Sequence, residues 1–138
     1  MQLLVIDGQG GGIGRQVVEQ VKKAYPQVEI TAVGTNVLAT QAMLKAGADH
    51  AATGENAVVV GCRTADVIAG PVGIAIADSL LGEITPKMAV AVGQSRALRV
   101  LLPAGLCNNY IAGGSKCTVS QLVQDCVERI GRHLTGLR

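Results

Sequence analysis

Short apolar runs alternate with helix-like segments along the whole chain. The first run, residues 3–6, is continuously apolar, which is typical of a strand buried on both faces. Around Gly14 the apolar residues begin to recur at helical spacing, and the stripe consists of Ile13, Val17, Val18 and Val21. The clearest helix covers residues 119–134, where Thr118 and Gln121 match a capping box at its start.

The same alternation predicts the elements in between. Strands are predicted at residues 28–34, 50–52, 66–70 and 99–103, and the segment 108–114 is a candidate for a last strand. Helices are predicted at residues 36–47, 72–82 and 85–93. The segment 53–62 fits a helix capped by Thr53, although its Ala-Val-Val-Val run also suits a strand.

This order of elements predicts the fold class. Strands that alternate with helices form a mainly parallel sheet covered on both sides. We therefore expect one three-layer, Rossmann-like α/β domain over residues 1–138, with five or six strands and helices on both faces. Ligands of such sheets bind beyond the carboxyl ends of the strands, so function is sought in the loops that follow them.

The composition argues against several classes of binding partner. The net charge is only +2 and the aromatic residues are only Tyr25 and Tyr110, so nucleic acid is not expected as a partner. No apolar run reaches the length of a membrane span, and the first residues lack a signal-peptide pattern, so no membrane partner is expected. The four cysteines form no C-x-x-C pair and the two histidines, His50 and His133, are isolated, so no metal site is expected. We expect a cytoplasmic protein with reduced, mostly buried thiols.

A glycine-rich loop follows the first strand. Five glycines fall within seven positions, in the stretch Gly8, Gln9, Gly10, Gly11, Gly12, Ile13 and Gly14. Since glycine loses more backbone entropy than any other residue, this density indicates a tight turn or a close approach by another group. Free N–H groups at the start of the following helix would suit a phosphate, so this loop is the first candidate for cofactor binding. The alternative is that the glycines only let the helix pack tightly on the sheet.

The glycine spacing discriminates among known phosphate loops. Arg15 and Gln16 stand where a Walker loop has Lys and Ser or Thr, and Ile13 stands where G-x-G-x-x-G has its third glycine. The pattern of Gly8, Gly12 and Gly14 instead resembles the cofactor loop of the short-chain dehydrogenases/reductases. That resemblance covers about the first twenty residues and implies nucleotide binding. The catalytic Tyr-x-x-x-Lys of that family is missing, so no activity is carried over.

Two further pairs complete the predicted cofactor site. Thr35 and Asn36, after the second strand, are candidates to hold a ribose, and Gly70 and Pro71 are candidates for one wall of the pocket. NAD-binding proteins usually carry an acid after the second strand, and this chain has none there. The Asp7 carboxylate beside the loop also disfavours a bare phosphate, unless a metal ion or a proton intervenes.

Other polar residues are expected at the same edge or at the mouth of the pocket. They are Glu55, Asn56, Asp78, Glu83, Thr85, Cys107, Asn108 and Asn109. Helix capping and turn formation explain the Thr, Asn and Asp positions equally well. Cys107 is the one cysteine placed at this edge.

Three functions stay open on the residues alone. The first is a small protein that binds NAD(P) or another nucleotide. The second is an enzyme for a small phosphorylated or nucleotide-bound substrate, which requires that Glu55, Asp78, Glu83 and Cys107 converge. The third is an assembly module without a small ligand. High apolar content in a small chain favours a homodimer, with the segments 72–82 and 88–93 as candidate surfaces. The alternative is that both segments belong to the core of the domain.

Four longer stretches carry a wider resemblance. They are VIDGQGGGIG, GTNVLATQAMLKAGADHAATGENA, GPVGIAIADSLLGEITPKMA and LCNNY. The chain is similar in these stretches to a bacterial family of uncharacterised proteins with a Rossmann-like fold, filed as a domain of unknown function. The resemblance implies the fold and no catalytic residue.

Overall fold

Five parallel strands form one sheet in the computed structural model, which describes residues 1–106, 108–113 and 117–136. Their order across the sheet is β3-β2-β1-β4-β5. The strands are β1 (Gln2–Asp7), β2 (Glu29–Gly34), β3 (His50–Thr53), β4 (Val67–Pro71) and β5 (Leu98–Leu102). The helices are α1 (Gly12–Ala24), α2 (Val37–Lys45), α3 (Glu55–Thr64), α4 (Pro86–Gln94) and α5 (Val119–Leu134).

Two apolar cores hold the three layers together. One core lies between the sheet and α1, α2 and α5, and its largest fully buried side chains include Leu3, Ile30 and Ile130. The other core lies under α3 and α4 and contains Leu4, Ile6 and Ile68. Because successive residues of β1 point to opposite faces, Leu3 and Leu4 enter different cores, which explains the continuously apolar run. The predicted three-layer Rossmann-like fold is confirmed.

The topology places a crevice beside β1. From β1 the chain winds outward through β2 to β3, then returns to add β4 on the other side of β1. The strand order therefore reverses between β1 and β4, and this is the point where open α/β sheets bind their ligands. The glycine loop after β1 and Pro71 at the end of β4 meet there.

Most predicted elements are confirmed within a few residues. The capping box of α5 is complete, with the Thr118 hydroxyl accepting the Gln121 N–H and the Gln121 side chain accepting the Thr118 N–H. Segment 53–62 is helical rather than extended, and the residue that precedes its helix is Gly54 rather than the expected cap Thr53.

Two predicted elements are wrong. The segment 72–82 is not an α-helix, because only Val72–Ala75 forms a short 3-10 helix and the chain then turns. Asp78, Leu80 and Leu81 adopt positive φ angles, which no helix tolerates. The described residues of the expected last strand, 108–113, form turns and coil, so the described sheet has five strands. No helix within the described ranges is both long and apolar enough to cross a bilayer.

Candidate functional site

A cleft of about 280 Å³ opens at the crevice between β1 and β4. The glycine loop forms its floor, and the other walls come from the ends of β4 and β5, a covering loop (residues 76–85) and the start of α5. Its lining residues are Asp7, Gly8, Gln9, Gly10, Gly11, Gly12, Ile13, Gln16, Pro71, Leu80, Ala104, Gly105 and Val119. Six of the seven predicted loop residues therefore face one cleft together with Pro71.

Three glycines of the loop are required by packing. A Cβ on Gly14 would lie 2.6 Å from the Met43 sulfur and 2.9 Å from the Cβ of Asp7. A Cβ on Gly8 would lie 2.6 Å from the Glu83 carboxylate, and Gly11 combines a φ of 71° with a position 2.9 Å from the Ala39 backbone. The alternative of tight packing between helix and sheet thus applies to Gly14, whereas Gly11 packs against α2 and Gly8 against the covering loop.

Gly10 and Gly12 are different. A Cβ built on either residue would meet no atom within 4 Å, and neither residue has a positive φ. Both residues are exposed and line the cleft. Their N–H groups have no hydrogen-bond acceptor among the described residues. Neither the backbone conformation nor the packing of the described chain explains why glycine occupies these two positions.

A buried carboxylate lies beneath the loop. Asp7 is 4% exposed, and its two oxygens accept the Gly8 N–H and the Gly14 N–H, each at 2.7 Å. The bond from Gly14 ties the end of β1 to the first turn of α1 and uses an N–H group that would otherwise be free at the helix start. Burial raises the pKa of the Asp7 carboxyl, and the nearby Glu83 carboxylate adds to the rise, against the lowering effect of the N–H donors.

The covering loop delivers a second carboxylate to this edge. Glu83 Oε1 accepts the Gln9 N–H at 2.6 Å and the Thr35 hydroxyl at 2.9 Å. Its Oε2 lies 3.3 Å from the Asn36 Nδ2. Glu83 does not line the cleft but lies beside it at the end of β2, where no acid follows the strand in sequence.

The predicted ribose pair lies behind this carboxylate. Asn36 caps α2 by accepting the Ala39 N–H at 2.9 Å, and its Nδ2 donates to the Gln9 carbonyl at 2.9 Å. Thr35 and Asn36 do not line the cleft. Gly70 is also absent from the lining, because it is buried in β4 where a Cβ would collide with the Ile6 carbonyl oxygen. Of the four site residues predicted outside the glycine loop, only Pro71 faces the cleft.

The remaining candidates do not gather around the cleft. Glu55 begins α3 and Asp78 is exposed on the covering loop, and neither lines the cleft. Cys107 lies outside the described residues. Within the described ranges, no three His, Cys, Asp or Glu side chains form a group that could hold a metal ion. Burial raises the pKa of the Cys62 thiol to about 11 and that of the Cys126 thiol to about 12, so both are unreactive at neutral pH.

Three larger grooves lie away from the crevice. One, of about 510 Å³, runs between α3 and α4 and includes Arg63 and Arg96 near the ends of these helices. A second, of about 410 Å³, lies between α1 and α5, and a third, of about 550 Å³, lies beside the starts of β2 and β3. The helices run opposite to the strands, so the ends of α3 and α4 lie toward the amino edge of the sheet. Ligands of open α/β sheets bind at the opposite, carboxyl edge, so the volume of a groove does not by itself identify the ligand site.

Comparison with known proteins gives a family and a fold likeness. One solved structure, the dodecameric FMN-dependent Ubix-like decarboxylase from Escherichia coli O157:H7, is 18% identical over 100% of this chain and 95% of that chain, with a TM-score of 0.48. No curated protein matches the chain. A family model described as "Domain of unknown function (DUF3842)" matches residues 2–135. The match spans nearly the whole chain, and the protein therefore belongs to this family of unknown function.

Proposed function

We propose that this protein binds a nucleotide-type ligand, with NAD(P)-type dinucleotides first, in the cleft between β1 and β4. The observation that carries the proposal is the pair Gly10 and Gly12, which the backbone and the packing do not require to be glycine. A ligand that approaches the backbone closely would require both. The position of the cleft at the reversal of strand order supports the same conclusion.

The proposed pose follows from the groups that are free. Phosphates would accept the N–H groups of Gly10 and Gly12, since Asp7 already occupies the N–H of Gly14. Pro71 and Leu80 would form apolar walls. At about 280 Å³ the cleft is at the lower limit of ligand pockets, which start at roughly 300 Å³. It has room for the phosphates, and the rest of a dinucleotide would extend over the rim toward the end of β2.

Thermal shift and calorimetry test the proposal. The panel consists of NAD⁺, NADP⁺, FAD, ATP, ADP and S-adenosylmethionine. We expect at least one nucleotide to raise the melting temperature of the wild type, and Gly12→Asp to abolish this effect because its carboxylate would occupy the phosphate position. Gly93→Asp is the matched control, since a Cβ there also meets no atom within 4 Å but projects from α4. Absence of binding by the wild type at millimolar concentrations of every compound refutes the proposal.

We also propose that two copies of the chain associate. The observation in favour is that Leu81, on the covering loop, is 92% exposed and Val90, on α4, is 52% exposed. Both residues lie in the two segments predicted as interface. The other apolar residues of the second segment, Met88, Ala89 and Val92, are core. Light scattering at micromolar concentration is the direct measurement, and a monomer there removes this second proposal.

A further inference from the structure

The covering loop supplies a group that the nucleotide site otherwise lacks. In dinucleotide-binding Rossmann proteins an acid after the second strand accepts the ribose hydroxyls. Here Thr35 and Asn36 occupy that place in sequence, and the carboxylate of Glu83 occupies it in space. Three donors hold it there, namely the Gln9 N–H, the Thr35 hydroxyl and the Asn36 amide.

The covering loop, which carries Glu83 to the end of β2, has a strained backbone. Asp78, Leu80 and Leu81 have φ angles of 67°, 57° and 56°, in the left-handed region that residues with a Cβ avoid. The strain positions the buried Leu80 against Gly8 and brings Glu83 onto the glycine loop. Strained residues of this kind persist where the surrounding structure requires them and cluster at functional sites.

The hydrogen-bonding capacity of Glu83 is unevenly used. Oε1 accepts the two short bonds, from Gln9 and Thr35, whereas Oε2 has one long contact, 3.3 Å from Asn36. A carboxylate oxygen has two lone pairs, so Oε2 retains capacity for hydroxyl donors from a ligand. No cation follows β2 in sequence, because residues 35–38 are Thr, Asn, Val and Leu.

On the basis of the proposed nucleotide binding, we propose that Glu83 is the acceptor for the ribose hydroxyls of the ligand and selects nucleotides with a free 2′-hydroxyl. A hydroxyl would donate to Oε2. A 2′-phosphate has no proton to donate at neutral pH and would place its negative charge against the carboxylate, with no Lys or Arg in residues 35–38 to compensate. The site therefore takes NAD⁺-type ligands and rejects NADP⁺-type ligands.

Titration calorimetry with NAD⁺ and NADP⁺ tests this selection. We expect the wild type to bind NAD⁺ at least about tenfold more tightly than NADP⁺, which corresponds to one charge-assisted hydrogen bond. Glu83→Gln should weaken NAD⁺ binding about tenfold and bring the two affinities close together. The amide oxygen can still accept the Gln9 N–H and the Thr35 hydroxyl, so the covering loop stays in place. Glu128→Gln, on the exposed face of α5, is the control and should change neither affinity.

The outcomes separate the two proposals. If the wild type binds neither dinucleotide nor any other nucleotide of the panel, nucleotide binding itself is refuted, and the role of Glu83 with it. If NAD⁺ binds the wild type and Glu83→Gln equally well, only the role of Glu83 is refuted. Tighter NAD⁺ binding by Glu83→Gln also refutes it, because the carboxylate would then be competing with the ligand for the Gln9 N–H.

A comparison on the wild type alone guards against a folding defect in the variant. ADP and 2′-deoxy-ADP differ only in the hydroxyl that Glu83 is proposed to accept. We expect ADP to bind about tenfold more tightly. Equal affinities for the two nucleotides overturn the assignment even if Glu83→Gln does not fold.

Discussion

The glycine loop offers a direct test of which glycines the fold requires. In Gly14→Ala the new methyl would lie 2.6 Å from the Met43 sulfur and 2.9 Å from the Asp7 Cβ, and both side chains are buried. Overpacking of this kind costs about 1–3 kcal/mol, of which the better helix propensity of alanine returns up to about 1 kcal/mol. We expect Gly14→Ala to lose about 1–2 kcal/mol of unfolding free energy.

Gly12→Ala should change stability in the opposite direction. A methyl at this first position of α1 meets no atom within 4 Å, and the φ angle is not positive. Alanine then gains about 0.4–1 kcal/mol by restricting the unfolded chain. The two variants differ by the same methyl group, two residues apart, and should differ in unfolding free energy by roughly 2 kcal/mol.

Urea denaturation followed by circular dichroism measures this difference. With a slope of about 1–3 kcal/mol per molar urea, roughly 2 kcal/mol separates the two midpoints by about 1 M. The Gly12→Ala variant should meanwhile bind nucleotide more weakly than the wild type, because its methyl enters the cleft. If Gly12→Ala destabilises the protein as much as Gly14→Ala, the fold requires Gly12. The observation that carries the proposed function is then gone.

Two further predictions concern the site and its surroundings. Asp7→Asn should cost roughly 2 kcal/mol, because its amide cannot accept from both Gly8 and Gly14. Burial raises the pKa of the Asp7 carboxyl above its ordinary value of 3.8, so the native state holds this proton more tightly than the unfolded state does. The pH-dependent part of the wild-type stability is therefore complete below about pH 3.8 and is lost as pH rises through the raised pKa. Urea titrations across this range check the sign, and an advantage that grows with pH contradicts it. Leu81→Asp should convert a dimer to monomer in light scattering while its circular dichroism spectrum shows that the fold is retained. The same result is expected for Ile76→Asp, since Ile76 is half-buried and belongs to neither core. A variant that unfolds, or a dimer that persists in Leu81→Asp, contradicts this interface.

The pattern of apolar residues was sufficient to predict the sheet and most helices. Each central strand is short, apolar and followed by a helix, so local periodicity and the fold agree. The covering loop is where local reasoning failed. Its residues Leu80 and Ile84 are buried in the second core together with Ile74, which precedes the loop, so the apolar residues of this segment are core as in a buried helix. The chain buries these side chains through left-handed turns at Leu80 and Leu81 instead of a helix. Helix propensities do not predict such turns, because leucine favours a helix.

The acid at the end of β2 escaped prediction for a different reason. In the sequence pattern of dinucleotide-binding proteins the acid directly follows the second strand, whereas Glu83 reaches Thr35 across 48 positions. Glu83 was predicted at the mouth of the pocket, and no local signal tied it to Thr35. Likewise, the sequence alone does not distinguish the five glycines of the loop from one another. The structure shows that packing requires three of them, whereas Gly10 and Gly12 are not required by packing. Long-range contacts decide both questions.

The charges around the loop favour one kind of phosphate over another. Asp7 and Glu83 both lie at the glycine loop, and their mutual repulsion contributes to the raised pKa of Asp7. A terminal phosphate, with up to two negative charges, would meet this repulsion most strongly. The bridging phosphates of a dinucleotide carry one charge each and would meet it least, while still accepting the N–H groups of Gly10 and Gly12. We therefore expect NAD⁺ to bind more tightly than ATP, through the N–H groups that the loop already offers.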